Sequence, residues 1–220
     1  MASIRLVSSR THQRGDLEPM SPRIRICLLA LTAIMIGSSA AYAEGPRLRS
    51  DGSLVSGMVG YSSHESKNTG EQIGGGTWSF NYSRADVGRN WAAGIVVRRM
   101  DTDEQITSVS GETTYINAAR LIVAMQGRWF ATDGRLTSYL SPLAGIHLQT
   151  TDTSVEDGIE FRDSSYTFTM GISAGAMFHL TDAVFMRGEY TFHYFAKSDT
   201  IKNNHMHGLY AGLGFQFGGS

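Results

Sequence analysis

From Glu44 to the C-terminus the chain alternates apolar and polar residues in one segment after another, with no apolar run long enough for a membrane-crossing helix. A period of two is that of a strand whose two faces meet different surroundings. The clearest case runs from Tyr166 to Leu180: Tyr166, Phe168, Met170, Ile172, Ala174, Ala176, Phe178 and Leu180 share one side, and Thr167, Thr169, Gly171, Ser173, Gly175, Met177 and His179 the other. Met186 to Tyr194 and Gly208 to Phe217 repeat it, and so does Tyr115 to Phe130, in which Asn117 is a misfit on the apolar side. Weaker versions cover Leu54 to Ser63, Ile73 to Ser83, Trp91 to Met100 and Leu136 to Thr150, the last interrupted by Pro142, whose missing N–H predicts a local irregularity. Eight strands result.

The connections alternate in length. Asp86 to Asn90, Thr132 to Arg135 and Thr181 to Ala183 are short; Ser63 to Gln72, Asp101 to Thr114, Thr151 to Ser164 and Lys197 to Met206 are long and polar. Short turns at one end and long loops at the other, with an even strand number, are the pattern of an outer-membrane barrel with its turns in the periplasm. The expected fold is therefore an all-β, eight-stranded antiparallel transmembrane β-barrel with four longer external loops. A soluble eight-stranded ligand carrier also alternates, but it turns its greasy face inward and covers its outside with Lys and Glu. Here the polar face is rich in Gly, Ser and Thr with isolated charges, which suits a narrow, packed, polar lumen.

Arginine facing lipid at mid-bilayer costs about 2–4 kcal/mol, so Arg120, Arg128 and Arg187 are expected to point inward, as alternation also places them. With Glu189, His193 and His179, and with His147 nearby, they form an expected lumen polar network; its bland role is structural, since buried charges must pair to offset desolvation. Tyr61, Tyr115, Tyr166 and Tyr194 at the loop ends, and Trp91 and Trp129 at the turn ends, are expected as interfacial girdles.

The N-terminal part predicts export. Arg23 and Arg25 precede an apolar run from Ile26 to Gly37, and Ala41-Tyr42-Ala43 is an A-x-A cleavage signature, so residues 1–43 are assigned to an extension and signal peptide and residues 44–220 to the barrel. Asp16 and Glu18 are out of place in a signal, which makes Met20 the expected start. Cys27, the one cysteine, falls inside the signal, leaving no thiol for disulfide, catalysis or metal in the mature chain. A net charge of -1 gives no basic surface for nucleic acid. Asp101, Asp103, Glu104, Glu112, Asp152, Glu156, Asp157, Glu160 and Asp163 lie in the predicted loops without the spacing of a calcium loop, and His205 and His207 are two imidazoles only, so no metal and no cofactor is expected.

Leu143-Ala144-Gly145, the stretch Ala174-Gly175-Ala176 leading through His179-Leu180-Thr181-Asp182 to Arg187-Gly188-Glu189-Tyr190, and the closing Gly212-Leu213-Gly214-Phe215-Gln216-Phe217 resemble the small outer-membrane β-barrel family that includes opacity-type and attachment-invasion-type surface proteins. The resemblance covers most of the mature chain and implies residence in the cell outer membrane, among its lipid and lipopolysaccharide. It also implies Phe215 and Phe217 as a terminal-strand signal for the outer-membrane assembly machinery, although Gly218-Gly219-Ser220 extend past the usual aromatic end. Family members act as adhesins, membrane-stabilising proteins or small-solute channels, so function does not follow from fold. Lipid A deacylases on this scaffold pair a His with a Ser two residues on; His193 is followed by Tyr194 and Phe195 instead. The expectation is a non-enzymatic barrel presenting external loops to a surface ligand, with a narrow channel as the alternative and a lipid A-modifying enzyme as the third.

Overall fold

The computed structural model describes residues 52–86, 90–107, 113–155, 160–197 and 201–218. The signal peptide, Cys27, the Met20 start, Glu112, Glu156, Asp157 and the last two residues lie outside them. Eight strands follow one another among the described residues: β1 (Ser53–Glu65), β2 (Gln72–Asp86), β3 (Trp91–Thr107), β4 (Thr113–Asp133), β5 (Leu136–Val155), β6 (Glu160–His179), β7 (Val184–Phe195) and β8 (His205–Phe217). Each pairs antiparallel with the next, and β8 returns to β1, closing the barrel. Closure leaves no free sheet edge around the barrel, as a lipid-embedded sheet requires.

Strand register sets the barrel's dimensions. Followed once around, Ser138 leads through Ala176, Gly188, Ala211, Val59, Trp78, Arg99 and Leu121 back to β5 at Leu148, a stagger of ten residues. Eight strands with that stagger tilt by about 40° around a cylinder of roughly 8 Å radius, which side chains fill. At the turn end, Asp133 and Leu136 pair across Gly134-Arg135, and Gly134 has φ 57°, the left-handed conformation that the first central position of a two-residue hairpin favours. Pro142 faces outward, and the β4–β5 pairing stops at Gln126↔Leu143 and resumes at Trp129↔Leu140, while β5–β6 pairing runs through it. Its missing donor faces β4.

Burial alternates as the sequence predicts, with the greasy side outward: Val59, Phe80, Ile95, Val123, Met125, Ile146, Ile172, Leu213 and Phe215 are exposed, while Arg98, Arg120, Arg128, Arg187 and Glu189 are buried. Three expectations need correction. The long polar connections are in large part strand: β3 and β4 stay paired out to Thr107↔Thr113, and β5 and β6 to Ser154↔Glu160. Polar residues there read as loop because both sheet faces beyond the membrane are wet, so no apolar alternation marks the strand. Second, the lumen is not uniformly polar. Leu54, Ala85, Ala92, Phe130, Tyr139, Met177 and Phe185 form an apolar floor near the turns, and Val96, Met100, Ile122, Ala124, Leu143, Phe195, Ile201 and Met206 a second apolar cluster towards the loops. Third, Tyr115 lies opposite Gln105 and Ser154, farther out than Asn117, which lies opposite Asp103 and Asp152. Tyr115 therefore sits beyond the girdle level, and Asn117 is no misfit, since it too has left the apolar band.

Candidate functional site

Inside the barrel, Glu189 on β7 is fully enclosed and gathers four donor side chains from three strands. Arg98 Nη2 donates to its Oε1 and Arg187 Nη2 to its Oε2. Tyr139 Oη donates to Oε2 at 2.6 Å and Thr191 Oγ1 to Oε1 at 3.1 Å. Arg187 Nε donates to Tyr139 Oη at 2.6 Å and its Nη1 to Ser56 at 2.8 Å; Arg98 Nη1 donates to His193 Nε2 at 2.7 Å. The Tyr139 ring faces the guanidinium carbons of Arg128 at 4.8 Å and Arg187 at 4.9 Å, and Arg98 lies 5.0 Å from the Tyr210 ring centre. This belt spans the lumen from β1 and β3 to β7.

Of the six residues expected to form one lumen network, Arg187, Glu189, His193 and Arg128 meet here. Arg120 does not: it donates to Thr102 at 2.5 Å and lies 3.3 Å from His64 Nε2, towards the loops. His179 is also apart, at the turn end, 3.4 Å from Thr137 Oγ1 and against Phe185. A shared face fixes the direction of a side chain and not its height; Arg120 and Arg128 are separated along β4 by roughly 26 Å. His147 packs on Phe195 with ring centres 4.4 Å apart. The belt's missing members were Arg98 and Tyr139. Arg98 was hidden because Ile95-Val96-Val97 and Arg98-Arg99 break the alternation; the available signal was that two adjacent arginines on one strand cannot both face lipid. Arg99 points outward and pairs with Asp101 at 3.1 Å.

On the outside, Tyr61, Tyr194, Trp91 and Trp129 are exposed, and the two tryptophans are cross-strand partners near the turns. His205 and His207 also face outward, beside Phe192 and Tyr190. Phe215 and Phe217 are exposed on β8.

At the loop end, β3 to β6 outgrow their neighbours. Pairing of β2 with β3 begins at Thr77↔Met100 and that of β6 with β7 at Thr169↔Phe195, so a four-stranded sheet projects past both. From Glu160 to Tyr166, roughly 20–25 Å of strand, β6 has no partner on the β7 side among the described residues; Thr167 and Phe168 are met by the Lys197 and Ala196 N–H groups. Phe168 accepts from the Ala196 N–H on the β7 side, so Arg162, Ser164 and Tyr166, at even spacing from it, turn their main-chain groups away from β5. The Ser164 N–H is met by the Asp163 carboxylate at 2.9 Å, a local cap on an otherwise open edge. Phe161 and Tyr166 are 63% and 82% exposed on this segment, large apolar surface at the sheet's edge. Tyr166 thus stands at the base of the projecting sheet.

Residues 28–217 match the family model described as "Outer membrane protein beta-barrel domain". No curated protein matches. Among solved structures, Neisserial surface protein A is similar with a TM-score of 0.53 at 17% identity, covering 75% of this chain and 97% of that one. OprG of Pseudomonas aeruginosa has a TM-score of 0.48 at 10% identity, covering 79% of this chain and 98% of its own. Ail, the attachment invasion locus protein of Yersinia pestis, in complex with the heparin analogue sucrose octasulfate, has a TM-score of 0.47 at 14% identity, covering 76% and 99%.

Proposed function

Because this chain belongs to the outer membrane protein β-barrel family and resides in the cell outer membrane, we propose that it is a non-enzymatic, plugged barrel that holds a projecting β-sheet at the cell surface for contact with a partner. The observation that carries this reading is the open edge of β6 from Glu160 to Tyr166, flanked by exposed Phe161 and Tyr166. An unpaired strand edge offers main-chain donors and acceptors to an extended segment of another chain, and exposed aromatics supply apolar contact beside it. The short turns at the opposite end belong to the periplasm by the pattern of such barrels. The anchor is the apolar belt between the Trp91–Trp129 pair and the Tyr61 and Tyr194 level, with outer-membrane lipid and lipopolysaccharide around it.

Two features weigh against the channel reading. The Glu189 belt crosses the lumen, and apolar clusters lie on either side of it. Reconstituted in planar bilayers, the wild type is expected to give no steady conductance. The presentation reading is tested with bacteria producing wild type or Ser164→Pro, scored for attachment to epithelial monolayers at matched barrel abundance. The Ser164 N–H meets the Asp163 carboxylate and turns away from β5, so proline there removes the middle of the edge's three donors without breaking the ladder. Reduced attachment supports the reading; equal attachment, with neither strain exceeding cells that lack the protein, refutes it.

A further inference from the structure

The buried charges do not balance. Among the described residues the enclosed charged side chains are Arg98, Arg120, Arg128, Arg187 and Glu189, four cations and one anion besides the histidines. Glu189 is engaged by Arg98 and Arg187. Arg120 lies towards the loops, where Glu104 acts on it. Arg128 remains: it is 1% exposed, its Nη1 donates to Ser83 at 3.2 Å, and its guanidinium carbon lies 4.8 Å from the Tyr139 ring centre, but its Nε and Nη2 meet no partner among the described residues.

A second orphan lies beside it. Register on either side places Arg128 of β4 opposite Ser141 of β5, both inward, and Ser141 Oγ is wholly buried with no partner among the described residues. This is also where Pro142 interrupts the ladder between Gln126↔Leu143 and Trp129↔Leu140, so the wall is irregular at that spot. Gln126, two residues along the same inward face, donates to Asn81 at 3.5 Å, and its Oε1 has no partner among the described residues; its amide can turn to offer N–H instead. A cationic fork with two unpartnered nitrogens carrying three N–H bonds, a hydroxyl and a reversible amide, enclosed beside an excess of positive charge, match a small anion by both charge and donor number.

We propose that the lower lumen is an anion site: a halide-sized inorganic anion seated between the Arg128 guanidinium and the Ser141 hydroxyl, neutralising the charge that Glu189 leaves uncompensated. The anion is a structural ligand of the folded barrel, entering with its assembly.

The test uses the full mature protein, crystallised in detergent with sodium bromide and measured at the bromine absorption edge. The expected result is an anomalous peak within hydrogen-bonding distance of Arg128 and Ser141, absent in Arg128→Gln and weakened in Ser141→Ala. A water there, with no anomalous signal, overturns the proposal. Should Arg128→Gln fail to fold, Ser141→Ala decides it together with unfolding at fixed ionic strength, chloride being exchanged for gluconate. For the wild type the folding equilibrium constant should rise with chloride as 1 + [Cl⁻]/Kd, about elevenfold when chloride stands at ten times its Kd; in Ser141→Ala the rise should begin at higher chloride. Identical curves for the two proteins, or a folding constant that does not rise with chloride, would overturn it.

Discussion

Glu189→Gln is the sharpest perturbation of the lumen. The carboxylate accepts from Arg98, Arg187, Tyr139 and Thr191 and is fully enclosed. The amide keeps its shape but loses the charge, and one of its two ends now presents N–H towards groups that are themselves donors. Arg98 and Arg187 are left buried with no carboxylate between them, and removing one member of a buried pair costs about 3–5 kcal/mol. At about 4 kcal/mol the unfolding equilibrium moves roughly a thousandfold. The assay is reversible urea unfolding in phospholipid vesicles, followed by tryptophan fluorescence and by the gel shift between folded and boiled protein. Adding Arg98→Met removes one of the stranded cations, so the double variant should be less destabilised than the sum of the single variants, by about 1–3 kcal/mol of coupling. A Glu189→Gln cost under about 0.5 kcal/mol, or strict additivity, would refute the view that this carboxylate holds the belt together.

Met125 is 75% exposed between the aromatic levels, and Met125→Arg should cost about 2–4 kcal/mol in bilayers, against almost nothing for Asn117→Arg on the same strand; equal costs in vesicle unfolding would misplace the membrane. Gly94 and Gly127 should respond in opposite ways to alanine. A Cβ on Gly94 would stand 2.0 Å from the Tyr82 carbonyl oxygen of β2, whereas one on Gly127 meets nothing within 4 Å. Gly94→Ala is therefore expected to cost about 1–3 kcal/mol and to slow appearance of the folded band on a gel, with Gly127→Ala folding normally. Arg99→Gln should change stability by no more than about 1 kcal/mol, because its Asp101 partner is half-exposed with it; a loss near that of Glu189→Gln would mean the pair is enclosed.

How much could be read beforehand differs from strand to strand. β6, β7 and β8 have an unbroken period of two, and on the first two Thr169, Ser173, Met177, His179, Arg187, Glu189 and His193 are all buried on the inner face. β3 obscured its own parity, so Arg98, which completes the ion pair to Glu189, went unseen. Beyond the bilayer the signal faded for a physical reason: Asp103 to Thr107 and Phe161 to Ser165 meet water on both faces, so their strand character lies in pairing and not in hydropathy. Arg120, His179 and Glu189 share the lumen face yet occupy three heights, and only the ten-residue stagger of the strands assigns those.

Alternation of side chains, the even number of strands and the rhythm of short and long connections were decided locally, because side-chain direction in a strand is a property of two neighbouring residues and turn length a property of a few. Which arginine meets which carboxylate, where the apolar floor closes, how far β3 to β6 outreach β1, β2, β7 and β8, and that Arg128 faces Ser141 across a broken ladder were decided by closure. Register around a closed barrel is a global quantity: each strand's position depends on the seven others, and no window of the chain contains it.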